Sequence, residues 1–219
     1  MNDTSSTGVA TAVPPPTRAD AAAELLLRPE RYFEARLRPD NPAIPWLVIS
    51  VCGLARGIDS LDTRILMGTL ATDSPLLTTW AGLWGGLLGA GVMSGLLMWL
   101  VGGWWYRMRL LLSGASDVNK RKARIVYTHA ALVVAVPSVS WMAIVTFLYP
   151  NYSAAFAETP LAFALMFLAP WSAWVSYRGA RHCFDVRPGR ARVWFLILPL
   201  ILYGAVFGAS WFMAWFGPF

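Results

Sequence analysis

Residues 80–106 read WAGLWGGLLGAGVMSGLLMWLVGGWWY, a stretch without one charged side chain. A helix needs about 20 apolar residues to cross some 30 Å of hydrocarbon, and in lipid every backbone polar group must be satisfied within the protein. This stretch therefore reads as a membrane-crossing helix, and composition carries the same reading to the whole chain. Hydrophobic residues make up 57%, charged residues 14%, and there are 12 tryptophans, whereas soluble domains carry about 25% charged residues.

Hydropathy and length predict five spans, at about 44–64, 80–106, 126–149, 160–177 and 193–216. The expected fold is an all-α integral membrane protein, a bundle of five transmembrane helices with a short amphipathic N-terminal helical segment. Pro137, Pro170 and Pro199 lie inside the last three spans, where neighbouring groups can resupply the backbone bonds that proline removes.

The basic residues supply an independent test. Arg18, Arg28, Arg31, Arg36 and Arg38 precede the first span. Arg107, Arg109, Lys120, Arg121, Lys122 and Arg124 separate spans two and three, and Arg178, Arg181, Arg187, Arg190 and Arg192 separate spans four and five. Only Arg56 and Arg64 remain for the opposite side. The positive-inside rule then predicts a cytoplasmic N-terminus, an external C-terminus and an odd number of spans, and the short tail with alanine- and arginine-rich usage points to a cell inner membrane. The net charge of +6 points to anionic lipid at the cytoplasmic face, not to nucleic acid.

Residues 1–17 are small, polar and proline-rich, which predicts a disordered cytoplasmic tail with no cleavable signal peptide. Residues 18–40 predict two short helices, one starting near Asp20 and one opened by Pro29, with Leu25, Leu26, Tyr32, Phe33 and Leu37 as apolar positions among arginines. Such a segment lies along the headgroups or docks as a brace. The membrane domain occupies 41–219.

Small residues four apart let membrane helices approach closely. Span two offers Gly82 with Gly86, Gly85 with Gly89, and Gly91 with Gly95, and span five offers Gly204 with Gly208. They predict packing within the chain or against a homo-oligomeric or other membrane-protein partner.

LLLRPERYFEARL before the first span, the glycine-rich second span, and GGWWYRMRLLLSGASDVNKRKARIVY after it together resemble the Yip-domain membrane proteins, a family named for interaction with Ypt/Rab GTPases and with many bacterial members. The resemblance covers about residues 25–216 and implies a cytoplasmic N-terminus, five helices and a short external C-terminus. The Asp-Leu-Tyr-Gly-Pro and Gly-Tyr motifs of eukaryotic members do not occur here, so the resemblance implies an architecture and not Rab binding.

An intramembrane enzyme needs a constellation such as HExxH or facing aspartates on two helices. His129 and His182, and Ser138 and Ser140 beside Pro137, make none, so no catalytic residue, metal or cofactor is expected. One polar cluster stands out: SVCGLARGIDSLDTR, residues 50–64, places Arg56, Asp59, Asp62 and Arg64 at the outer end of span one. Arg56 lies only about 18 Å along the helix from Ile44, and Asp59 three residues on is its nearest partner. The cluster is either an amphipathic helix end or a polar pocket near the outer leaflet, walled by spans one, three and five. Two functions follow. In the first, a non-catalytic membrane protein organises or regulates other membrane components. In the second, a carrier or permease for a small solute, ion or lipid uses the pocket around Arg56 and Asp59.

Overall fold

The computed structural model describes residues 18–36, 46–158 and 168–216, and these are helical apart from short connections. Helices α1 (Arg18–Leu27) and α2 (Pro29–Arg36) lead in, and α3 (Trp46–Leu66) follows. A four-residue turn, α4 (Pro75–Thr78), precedes α5 (Trp80–Leu112) and α6 (Lys120–Leu148). Then come α7 (Tyr152–Glu158), α8 (Leu168–Cys183) and a last long helix, α9, over 188–216. The predicted tail 1–17, and parts of the predicted lead-in and fourth span at 37–45 and 159–167, lie outside the described residues.

Helix boundaries follow local chemistry. Thr79 caps α5 by accepting from the Gly82 N–H, and Asn119 caps α6 by accepting from the N–H groups of Arg121 and Lys122. Pro29, Pro75 and Pro188 each open a helix, where a missing N–H costs nothing. Gly114, with φ of +93°, takes the left-handed conformation that ends α5.

Among the described residues, two helices are both long and apolar enough to cross a membrane, Trp80–Leu112 and Lys120–Leu148. The first predicted span is helical over Trp46–Leu66 but carries Arg56, Asp59, Asp62 and Arg64. The fourth is described only from Leu168, and the fifth lies within α9.

The helices pack by close backbone approach. A Cβ on Gly53 of α3 would collide with the Gly91 carbonyl oxygen of α5, and one on Gly95 would sit 2.5 Å from the Ile49 carbonyl oxygen. Gly82 and Gly86 face α4 through Thr79 and Leu76, while added Cβ atoms at Gly85, Gly89, Gly204 and Gly208 would meet nothing within 4 Å. Gly102 and Gly103 receive Tyr127 and Arg124 of α6. These latter glycines and Gly53 fall outside the pairs singled out from the sequence, although Gly53 and Gly57 are themselves four apart.

Two short π-helical segments interrupt the long helices, Met98–Gly102 in α5 and Val193–Ile197 in α9. The second has a proline at its root. The Leu198 N–H bonds back to the Val193 carbonyl, five residues earlier, and Pro199 has no N–H to offer the carbonyls it follows. Pro137 is held within a continuous α6.

The lead-in is docked. Leu25, Tyr32 and Phe33 belong to one buried cluster with Tyr106, Val126, Val175 and Phe195. Phe33 is only 1% exposed, its ring seated where a Cβ on Gly179 would lie 2.8 Å away. The Trp171 indole N–H donates to the Leu26 carbonyl, closing α1 onto α8.

Candidate functional site

The polar residues of the first long helix divide between two directions. Arg56 and Asp59 form an ion pair at 2.7 Å with about two-thirds of each side chain exposed (65% and 64%). Asp62 points elsewhere, because six residues of α-helix rotate it about 120° from Arg56. It accepts a hydrogen bond from the Tyr152 hydroxyl on α7, so its partner is a phenol and not an arginine. Arg64 is exposed, and its carbonyl accepts from the N–H groups of Thr69 and Leu70 in the turn that follows.

Tyr152 joins a polar belt around this end of the bundle. Its ring meets Trp80 edge-on, with centroids 6.3 Å apart. The Trp80 indole donates to the Tyr149 carbonyl at 2.9 Å, and Trp84 donates to the Thr146 hydroxyl at 3.2 Å. Burial and the neighbouring Asp62 carboxylate push the Tyr152 phenol above its usual range. Tyr152 could not be paired with Asp62 from the sequence, because they are 90 residues apart and no periodicity links a span end to a short helix.

At the opposite end the basic residues converge. Arg109 Nε donates to the Trp194 carbonyl at 2.9 Å, Lys122 Nζ to the Cys183 carbonyl at 2.7 Å, and Arg107 Nε to the Val118 carbonyl at 3.3 Å. The Arg187 N–H donates to the Ser113 carbonyl. The last of these bonds ties the connection between α5 and α6 to the one between α8 and α9, while Arg109 joins α5 to α9 and Lys122 joins α6 to α8. The Cys183 carbonyl that Lys122 satisfies is one that the end of α8 leaves without a helical partner.

Beside them, Arg178 Nη2 reaches Glu30 Oε1 at 2.5 Å, joining α8 to α2. The Arg178 guanidinium lies over the Trp174 ring at 5.7 Å, while its buried Nε has no hydrogen-bond partner among the described residues. Glu30, Arg178, Arg181 and His182 line a cleft of about 200 Å³. His129, by contrast, bonds through Nδ1 to the Ile125 carbonyl and packs against the Tyr32 ring. The Ser138 hydroxyl donates to the Val134 carbonyl on its own helix.

The family model of the Yip1 domain matches residues 23–211. The chain belongs to the Yip1-domain family. The match takes in the docked lead-in, the glycine contact between α3 and α5, both polar ends and most of α9. A Yip1-domain protein with these long apolar helices is a membrane protein. No curated protein and no solved structure matches the chain. The Yip1 domain therefore supplies the family, and the geometry above supplies the rest.

Proposed function

We propose that this Yip1-domain protein is a five-span, non-catalytic organiser or regulator of other membrane components. It resides in a bacterial inner membrane with its N-terminus in the cytoplasm and its C-terminus outside. The observation that carries this reading is the separation of charge along the bundle. Arg107, Arg109, Lys122, Arg178 and Arg187 gather at one end, tied together through backbone carbonyls and Glu30. Arg56 and Arg64 lie on the half of α3 whose Ile58, Leu61 and Ile65 share a cluster with Trp80 and Tyr152. Such asymmetry supports the orientation, and the basic end suits anionic headgroups at about 1 kcal/mol per cation near the surface.

Between the ends, α5 exposes Leu88, Val92, Met93, Leu97 and Val101, a lateral face fit for lipid or another membrane helix. The open glycines Gly85, Gly89, Gly204 and Gly208 offer places where a second copy or a membrane-protein partner can approach closely. The carrier reading has less support, since Arg56 and Asp59 pair with each other and Asp62 is engaged by Tyr152.

Two measurements test the proposal. An alkaline phosphatase domain fused after Phe219 is expected to be active, as it is only outside the cytoplasm; an inactive, fully expressed fusion overturns the orientation. The full chain in sealed vesicles is expected to add no ion or small-solute flux. A flux abolished by Asp62→Asn would favour the carrier.

A further inference from the structure

The cleft formed by Glu30, Arg178, Arg181 and His182 contains one acidic side chain among basic ones. We propose that this cleft binds a phosphate group, and that Glu30 is an internal occupant which the phosphate replaces.

The first argument is the unfinished hydrogen bonding of Arg178. Its Nη2 is taken by one Glu30 oxygen, yet its Nε is buried and finds no hydrogen-bond partner among the described residues. Buried donors without partners are rare, and a guanidinium fork is matched by a ligand that offers oxygens to two of its donors at once. Glu30 reaches it from a different helix and meets only part of that fork. A phosphate, with three acceptor oxygens, can offer that fork more than the one carboxylate oxygen Glu30 gives it.

The second argument is charge. Arg178 and Arg181 carry two positive charges against one negative charge on Glu30, which leaves the arginines in excess by one. Arg181 lies over the Tyr177 ring at 6.0 Å. Replacing Glu30 by a phosphate monoester matches a dianion to two arginines.

The third is that Glu30 can leave without unseating its helix. Phe33 and Tyr32 remain buried under α8 and α6, so α2 is anchored by its rings and not by the ion pair, whose side chains are 36% and 46% exposed. Trp174 keeps a face on the Arg178 guanidinium. The shared chemistry is a phosphate group with at least three unesterified oxygens, from either a monoester lipid headgroup or free phosphate.

The test titrates the full chain, held in phosphatidylcholine nanodiscs, separately with short-chain phosphatidic acid and with inorganic phosphate by calorimetry. One saturable site per chain is expected, weakened at least tenfold by Arg178→Gln and by Arg181→Gln, and tightened severalfold by Glu30→Gln. Binding of phosphatidic acid alone identifies a lipid source, and binding of both identifies a site that reads the phosphate itself; either result supports the proposal. Arg121→Gln removes a charge from the same end without touching the cleft and is expected to leave the site intact. Absence of saturable binding, an equal loss in Arg121→Gln, or weaker binding in Glu30→Gln overturns it. Should Arg178→Gln fail to fold by circular dichroism, Arg181→Gln and Glu30→Gln still decide the matter.

Discussion

Arg109 Nε donates at 2.9 Å to the carbonyl oxygen of Trp194, 85 residues further along the chain. That carbonyl is orphaned by proline. In an α-helix it would accept from Leu198, but the Leu198 N–H goes to Val193, and the following residue, Pro199, has no N–H. Arg109 satisfies it from another helix and stacks on Phe195 with its guanidinium carbon 4.2 Å from the ring centre.

Arg109→Met is therefore expected to destabilise the bundle by about 2 kcal/mol, the scale of a hydrogen bond from a charged donor, read by denaturant unfolding in detergent. Pro199→Ala restores a donor within the helix. In the double variant the Arg109→Met penalty should shrink by half or more; strict additivity would show that the two positions are independent.

The contact between α3 and α5 gives a second expectation. Gly53→Ala and Gly95→Ala push a methyl into backbone and should each cost about 1–3 kcal/mol through overpacking. Gly85→Ala and Gly89→Ala enter open space and should stay within about 0.5 kcal/mol. A monomeric sample in detergent is the proper material, so that only contacts within the chain are measured.

Phe33→Ala removes the buried ring that fastens α2, and Gly179→Leu fills its seat. Both variants should release the lead-in while leaving the rest of the bundle folded. Limited proteolysis checks this: cleavage between α2 and α3 should accelerate in both, with no comparable change for Leu27→Ala, whose side chain is exposed.

Cys183 provides a pH-dependent probe. Burial pushes its thiol up to about 12 from an ordinary value near 9.0, against a smaller opposing pull from Lys122. At pH 8 a maleimide should modify it at least tenfold more slowly than in the denatured chain. Since the folded state holds this proton more tightly, its contribution to stability is complete below about pH 9 and is lost as pH rises toward 12. Cys183→Ala should flatten that alkaline limb of the stability curve.

Much of this was legible in the amino-acid sequence, and the remainder was hidden for physical reasons. Span two stands out because lipid demands a long uncharged helix, and Pro29 announces the start of α2 through its fixed φ. The Arg56–Asp59 pair is visible because three residues along a helix bring side chains to one face. Asp62 and Tyr152, however, meet only through tertiary packing, so no local rule joins them. The Glu30–Arg178 pair is hidden in the same way. The π-helical segment at Met98–Gly102 contains no proline to betray it; its Gly102 is pressed by Tyr127, and Gly103 just beyond it by Arg124. The glycine motifs indicate which residues permit close approach, but a single sequence does not say which of several glycine faces a neighbour will use.

The docked lead-in also sets an order for biogenesis. Leu25, Tyr32 and Phe33 leave the ribosome long before Val126 and Gly179, the residues that form their seat. Until the helix bearing Gly179 has been inserted, these aromatic groups have no site in their own chain and must be sheltered by the membrane surface or by an insertion factor. This early segment is thus among the last to settle, and its closure reports that the later helices have arrived.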